Sequence, residues 1–286
     1  MQKQLFVINP VAGGRNKDGL INEISSRFPN ALIIETTGKE DAAKLDDCIQ
    51  KNQPEVVVVS GGDGTINEMV PILMKHQVAL GIIPMGSANG LATELGIEVD
   101  NAFEILKIGY QRSLDIVEIN NKLMIHMADL GLNANLVKRY EEEERRGFLG
   151  YAISALKELP ALQDSFNVTI TSDGSERKFQ TQFVVIANTR MYGTGYQINP
   201  EGVLDDQLIE ICVLKEFSSE LITNQIFDQN DAKNPSLFEI YATNQAEIKI
   251  NRKVNWQSDG EYQGTTNQLS VRVLKPQLRI VCPVPD

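Results

Sequence analysis

Gly61, Gly62, Asp63 and Gly64 follow directly on four valines and a serine, in VVVVSGGDGTINEM at 56–69. A strand that ends in glycines and opens into a helix suits an anion. The first turn of a helix offers unpaired amide N–H groups and the positive end of its dipole. Glycine lets that backbone approach a phosphate with no Cβ in the way. Asp63 is the odd member, because a carboxylate repels phosphate. It makes sense if a cation sits between the two, or if the acid handles a proton or a ribose hydroxyl. Thr65 and Glu68 have the spacing of a capping box, a helix-starting role that needs no ligand.

Two other turns share this character. Gly13, Gly14 and Arg15 in VINPVAGGRNKDG follow the first apolar run of the chain. Gly86, Ser87 and Asn89 in IIPMGSANGLATELGI follow the fourth, with Gly96 placed to close the next helix. No turn has the spacing of a Walker loop or of G-x-G-x-x-G, so the usual NTPase and dehydrogenase readings fail. Two acidic turns come late: Asp205-Asp206 in NPEGVLDDQLIEI, and Asp259, Gly260 and Glu261 in SDGEY. Each also has a plain reading, since Asp-Gly is a hairpin pair and aspartate favours turns. The chain has only two histidines, His76 and His126, which read as structural. That scarcity argues against a Ser-His-Asp triad or a histidine-rich zinc site. Carboxylates are left to carry the chemistry.

These turns require a frame. LFVIN (5–9), ALIIE (31–35), EVVVVS (55–60) and ALGIIP (79–84) are continuous apolar runs. Helical patterns separate them: Leu20, Ile21, Ile24 and Phe28 share a face, as do Ala42, Leu45 and Ile49. Such alternation predicts βαβ units and a parallel sheet covered on both faces. In that arrangement the three glycine turns gather at the carboxyl edge of the sheet, where open α/β sheets bind ligands. Near residue 113 the pattern changes to period two. LDIVEINNKLMIHMA turns at Asn120-Asn121, and FNVTITSDGSERKFQTQFVVIAN turns at Asp173-Gly174. The later region is therefore mostly antiparallel β, a sandwich or open barrel. One helical stretch, 133–159, interrupts it, with Glu141–Arg145 and Glu142–Arg146 at i,i+4 spacing.

Bulk properties narrow the partners. The formal net charge of −11 argues against nucleic acid, which would need a basic face. The 42% hydrophobic content is ample for a packed core. Three scattered cysteines, Cys48, Cys212 and Cys282, suit free thiols in a reducing compartment. The N-terminus reads as too polar for a signal peptide, and no run reaches the roughly 18 to 20 apolar residues of a membrane span. The expectation is a cytoplasmic protein; a homodimer is compatible with the chain.

The three turns, in this order, resemble the bacterial diacylglycerol kinase family of lipid kinases, related to the sphingosine kinases. The matching residues are Asn9-Pro10 with Gly13, GGDGTINE at 61–68, IPMGSANGLA at 83–92, NPEGVLDDQLIEI at 199–211 and SDGEY at 258–262. GGDGT alone is shared with NAD kinases and phosphofructokinases. The late Asp-Gly-Glu makes the combination more specific. An NAD kinase, or a non-catalytic homologue that kept the fold, is the alternative.

The resemblance implies an N-terminal α/β nucleotide domain over 1–113, with 276–286 returning to it, and a β-sandwich substrate domain over 114–275. It implies an active site in the cleft between them. ATP would lie on Asn9, Pro10, Gly13, Gly14, Thr37, Gly61, Gly62, Asp63, Gly64, Thr65, Asn67, Glu68, Ser87 and Asn89. Asp259 and Glu261 would form the acid pair that takes a proton from a lipid hydroxyl. Asp63 would join a magnesium–water network. A second, structural Mg²⁺ would be held by Asp206 and the backbone carbonyls of Val203 and Leu208. The lipid would be met at a membrane surface by peripheral contact, with RRGFLGYAISAL (145–156) the first segment to inspect for an apolar rim. Two departures stand out. Gly90 replaces the family's aspartate in the third motif, and Gln207 replaces a glycine in the acidic turn.

Overall fold

A computed structural model describes residues 3–10, 17–86, 89–131, 134, 165–192, 196–215 and 238–285. The chain forms two compact units, Met1–Leu114 with Pro276–Asp286, and Asp115–Lys275. Gly13, Gly14, Arg15, Ser87 and the segment 135–164, with its charge run and RRGFLGYAISAL, lie outside the described residues.

The first unit runs β1 (Gln4–Ile8), α1 (Lys17–Arg27), β2 (Leu32–Glu35), α2 (Asp41–Asn52), β3 (Val56–Gly61), α3 (Asp63–His76), β4 (Ala79–Pro84), α4 (Gly90–Glu94), α5 (Val99–Ile108) and β5 (Gln111–Leu114). The last strand of the chain, β18 (Leu278–Val281), completes its sheet in the order β2-β1-β3-β4-β18-β5. All neighbours are parallel except β18 and β5. The continuous apolar runs are explained by their place. Leu5 to Ile8, and Val56 to Val59, are buried on both faces, so neither side of the strand can carry polar residues. The two edge strands, β2 and β5, are mostly half-buried. Helix α1 sets Ile24 and the following Phe28 on the sheet. Phe28 stacks at 5.4 Å from Phe6 and 6.3 Å from Phe103 of α5. Each buried ring is worth roughly 2–3 kcal/mol of apolar burial, and each pair about 1 kcal/mol more. Gly96, at φ 67, closes the turn after α4, and the Ile97 N–H reaches back to Ala92 O at 2.8 Å.

The second unit runs β6 (Val117–Ile119), β7 (Lys122–Met124), β8 (Met127–Gly131), β9 (Phe166–Ser172), β10 (Ser175–Thr181), β11 (Phe183–Ala187), β12 (Met191–Tyr192), β13 (Tyr196–Gln197), β14 (Ile209–Leu214), β15 (Phe238–Thr243), β16 (Gln245–Ser258) and β17 (Glu261–Val273). Its strand pairings are antiparallel. Three hairpins turn on residue pairs with φ above zero at both central positions: Asn120-Asn121, Asp173-Gly174 and Asp259-Gly260. This is the two-residue geometry that matches strand twist. Besides β17, the long strand β16 serves two partners: residues 247–250 pair with β9, and 256–258 pair with β8. Irregularities between Lys249 and Val254, and between Asn255 and Gln257, interrupt its regular pairing with β17. The core lies against it, with Leu130, Phe166, Ile186, Ile211, Ile248 and Trp256 all buried.

Candidate active site

The three turns of the first unit are tied to one another by specific contacts. The Asn9 N–H donates to Ser60 O at 3.0 Å, and its side-chain amide donates to Thr65 Oγ1 at 2.9 Å. That joins the first turn to the second. The second and third meet at Gly62 and Gly86. A Cβ on Gly86 would lie 2.5 Å from Gly62 Cα and 2.8 Å from Asn89 Oδ1, so two backbones touch where neither can carry a side chain. The Met85 N–H donates to Gly61 O at 2.9 Å across the same junction.

Asp63 completes the tie. Its carboxylate is buried and accepts the Gly90 N–H at 2.8 Å and the Leu91 N–H at 3.2 Å. Helix α4 is thus capped by an acid from another turn, while Asn89 at φ 52 bonds back to Gly86 through both its amide atoms. An acid in an anion-binding bend is therefore accounted for by backbone donors. The Gly90 N–H is one of those donors, at the position where the family carries an aspartate.

Helix α3 starts earlier than the capping box predicts. Its N-cap is Gly62, no side chain caps it, and Thr65 is its third residue. The Thr65 hydroxyl accepts from Asn9 instead of closing the helix. The first-turn amides and the positive end of a fourteen-residue helix therefore lie beside the glycines, without a side-chain cap. This is the physical basis of an anion site. Pro71 sits on the exposed side of α3, which continues through it.

Thr37 belongs to a second small network. Its N–H donates to both carboxylate oxygens of Asp41 at 2.9 Å, and the Gly38 N–H adds a bond at 2.7 Å. Lys44 Nζ reaches Thr37 Oγ1 at 2.7 Å. Burial pushes the Asp41 carboxyl up, but the Thr37 and Gly38 amides, with Lys44 and the Thr37 hydroxyl, outweigh it and hold it below the usual aspartate value. Glu68 is raised, first by burial and then by the nearby Asp41 charge.

In the second unit the acids behave differently from one another. Asp259 is buried, at 6% exposure. Its Oδ1 accepts the His126 and Met127 N–H groups at 2.8 and 3.0 Å, and its Oδ2 accepts the Ile125 N–H at 2.9 Å. Glu261, two residues on, is exposed at the start of β17. Around this bend lies a buried polar cluster, of which only His126 stood out in the sequence. The Asn188 amide donates to Asp115 O and Ile125 O, each at 2.8 Å. His126 Nδ1 meets Thr189 Oγ1 at 2.8 Å, and Gln257 Nε2 donates to the fully buried Asp129. The available signal was a polar residue within an apolar run, as in SLDIV, MADLG and VVIAN.

The acidic turn at 205–206 has a protein-only account. Asp206 is exposed, and its Oδ1 accepts the Leu208 N–H at 2.9 Å, closing its own turn. Gln207 takes φ 65, the conformation a glycine adopts easily, and its N–H donates to buried Asp115 Oδ2 at 2.7 Å. Glu210 is raised by burial, partly offset by Asn199, with the Asp206 charge adding to the rise. Among the described residues no three acids, cysteines or histidines gather as a metal site. Asp206, with the carbonyls of Val203 and Leu208, would give an ion one carboxylate already bonded to its own turn. That donor set, one carboxylate and two carbonyls, would leave the rest of a Mg²⁺ shell to water.

Two family models cover the chain. Residues 3–119 match the diacylglycerol kinase catalytic domain, and residues 127–282 match the YegS C-terminal NAD kinase beta sandwich-like domain. The chain is 29% identical over 236 residues to the probable lipid kinase YegS-like of Klebsiella pneumoniae, covering 79% of this chain and 77% of that one. It is 28% identical over 261 residues to the probable lipid kinase YegS of Escherichia coli, covering 88% and 85%. A crystal structure of a diacylglycerol kinase from Bacillus anthracis shares the fold, with a TM-score of 0.82, 21% identity, and 99% and 97% of the two chains covered. With an α/β unit that gathers its glycine turns and an antiparallel β unit that carries the late acids, this chain belongs to the diacylglycerol kinase and YegS-like family of lipid kinases, phosphotransferases with an alcohol group as acceptor.

Proposed function

We propose that the protein transfers the γ-phosphate of ATP to a hydroxyl of a membrane lipid, a diacylglycerol or a sphingoid-like alcohol. The observation that carries this reading is the junction of Gly62 with Gly86 beside the uncapped start of α3. It is a bare backbone surface of amides suited to a polyphosphate. Mg²⁺, if supplied as the ATP complex, would neutralise phosphate charge. The residues of the chain supply position and a proton acceptor. Asn9 and Thr65 fix the first turn to the second, and Asp63 fixes the second to the third. A carboxylate at the 259–261 bend receives the proton of the alcohol as its oxygen attacks phosphorus. Little covalent work is left to the protein in such a transfer, so positioning dominates. No step is assigned to a metal at Asp206.

The protein meets its lipid by peripheral contact from the cytoplasmic side. Consistent with this, no helix among the described residues is long and apolar enough to cross a membrane. An NAD kinase is the second reading, favoured by the NAD kinase-like description of the second family model. One experiment separates the two. Purified protein is given γ-labelled ATP with 1,2-dioleoylglycerol micelles, sphingosine micelles, or NAD. Label in either lipid is the expected result; label appearing only in NADP would replace the lipid reading.

A further inference from the structure

The amino edge of the parallel sheet, opposite the glycine turns, holds a cavity of about 770 Å³. Small-molecule sites span roughly 300–1,000 Å³. The cavity lies between the start of β1, the end of α1 with the turn after it, and the end of α5. Phe28, Leu106 and Ile108 give it a mostly apolar surface. Phe28 and Leu106 are buried, whereas Ile108, the last residue of α5, is 67% exposed. Lys3, Arg27 and Lys107 also line it and no acid does, in a chain with a net charge of −11. Arg27 is braced by Glu23 and Glu104 at 2.9 and 3.1 Å and lies over the Phe103 ring at 4.9 Å. Lys107 shares Glu104 at 2.9 Å. Lys3 Nζ donates to the Asn52 carbonyl, which has no charge to offset it. In these contacts two acids face three cations.

Gln4 supplies a second, independent signal. It opens β1, lines the cavity and is 6% exposed. Its Nε2 donates to Leu106 O at 3.2 Å, which fixes the amide orientation because a carbonyl only accepts. Its Oε1 is left buried with no donor. Buried polar atoms are normally satisfied, so an orphan beside a cavity marks a place for a donor from a ligand. The glycine turns and the acidic turns use none of these residues.

We propose that this cavity binds a single-chain anionic amphiphile, of the class of a hydroxylated fatty carboxylate. Its apolar chain lies along Phe28, Leu106 and Ile108. Its head meets Lys3 and Lys107, and a hydroxyl beside the head donates to Gln4 Oε1. The apolar surface gives affinity without selection, and the cations select an anion. The occupant is one molecule rather than a bilayer, because Phe28 and Leu106 are recessed and only Ile108 of the three projects.

The full chain is titrated calorimetrically with decanoate, 2-hydroxydecanoate and decyltrimethylammonium, all below their micellar concentrations. Amide hydrogen exchange maps the site, and Tm is measured for each variant. Decanoate should bind at one site, 2-hydroxydecanoate more tightly, and the cation not at all, with protection rising at 28–31 and 106–108. Ile108→Ser and Lys107→Glu, both at exposed positions, should each weaken decanoate about tenfold. Gln4→Met should bind the two carboxylates equally. No saturable decanoate binding, equal binding of the cation, or protection at 61–65 in place of 28–31 would overturn the site. A hydroxyl advantage that persists in Gln4→Met overturns the role of Gln4. Phosphatidylglycerol vesicles that bind through Ile108 while decanoate does not would replace the single molecule with a membrane surface. No measurement uses ATP or lipid turnover, so the outcome is independent of the lipid kinase reading.

Discussion

The glycine bend of the first unit and the Asp-Gly hairpin of the second both carry an aspartate that looks chemical in the sequence. In both, its carboxylate binds backbone amides from a distant segment: two amides for Asp63, three for Asp259. The bends differ in what each leaves beside the acid. Next to Asp63 stand the uncapped first-turn amides of α3 and the contact of two glycines. Next to Asp259 stands an exposed second acid. The comparison teaches that a buried aspartate here organises a bend, and that the reactive surface is whatever the organised backbone presents.

The largest effect should come from filling the glycine contact. Gly86→Ala puts a Cβ on the backbone of Gly62, and overpacking of this kind costs about 3 kcal/mol at its upper end. ATP affinity, by calorimetry, should fall at least tenfold; wild-type affinity would mean that the phosphates lie elsewhere. Next come the two aspartates. Asp259→Asn should cost about 3 kcal/mol and Asp63→Asn about 2 kcal/mol, because three amides rather than two lose an anionic acceptor. Denaturant midpoints give the ranking, and the reverse order would break the parallel between the bends. Exchange at Gly90 and Leu91 should rise only in the Asp63 variant.

Asp41→Asn tests a third carboxylate–amide network at about 1 kcal/mol. The Asp41 carboxyl is held below its ordinary 3.8, so its stabilisation is present above that value and is lost as pH falls through the lowered one. The variant should lack this acid-side loss. Glu68 has the opposite sign: it is raised above 4.5, so its ionisation weakens the fold as pH rises through that window. Glu68→Gln should remove that slope. The smallest effect concerns the second acidic turn. Gln207→Gly should stabilise by about 0.5 kcal/mol, because glycine takes φ 65 without the left-handed cost, less its larger unfolded-state entropy.

Much of the fold was legible because periodicity reports burial directly. Val56 to Val59 could only be a strand covered on both faces, and Asn120-Asn121, Asp173-Gly174 and Asp259-Gly260 could each turn a two-residue hairpin. The glycines of the site were legible for a similar reason: a missing Cβ marks a close approach or a positive φ. The partners in those approaches were not legible. Nothing local to Asp63 says that its oxygens meet Gly90 and Leu91. Nothing near Thr65 says that its hydroxyl accepts from Asn9 rather than closing the helix. The same holds for Asp115 and Gln207, 92 residues apart. The sequence by itself determined the element types, the glycine turns at one sheet edge, and the family. The tertiary structure alone decided which acids are bound by amides and which remain exposed. Strand and helix patterns are set by neighbours in the chain, whereas the setting of a carboxylate depends on donors that only folding brings to it.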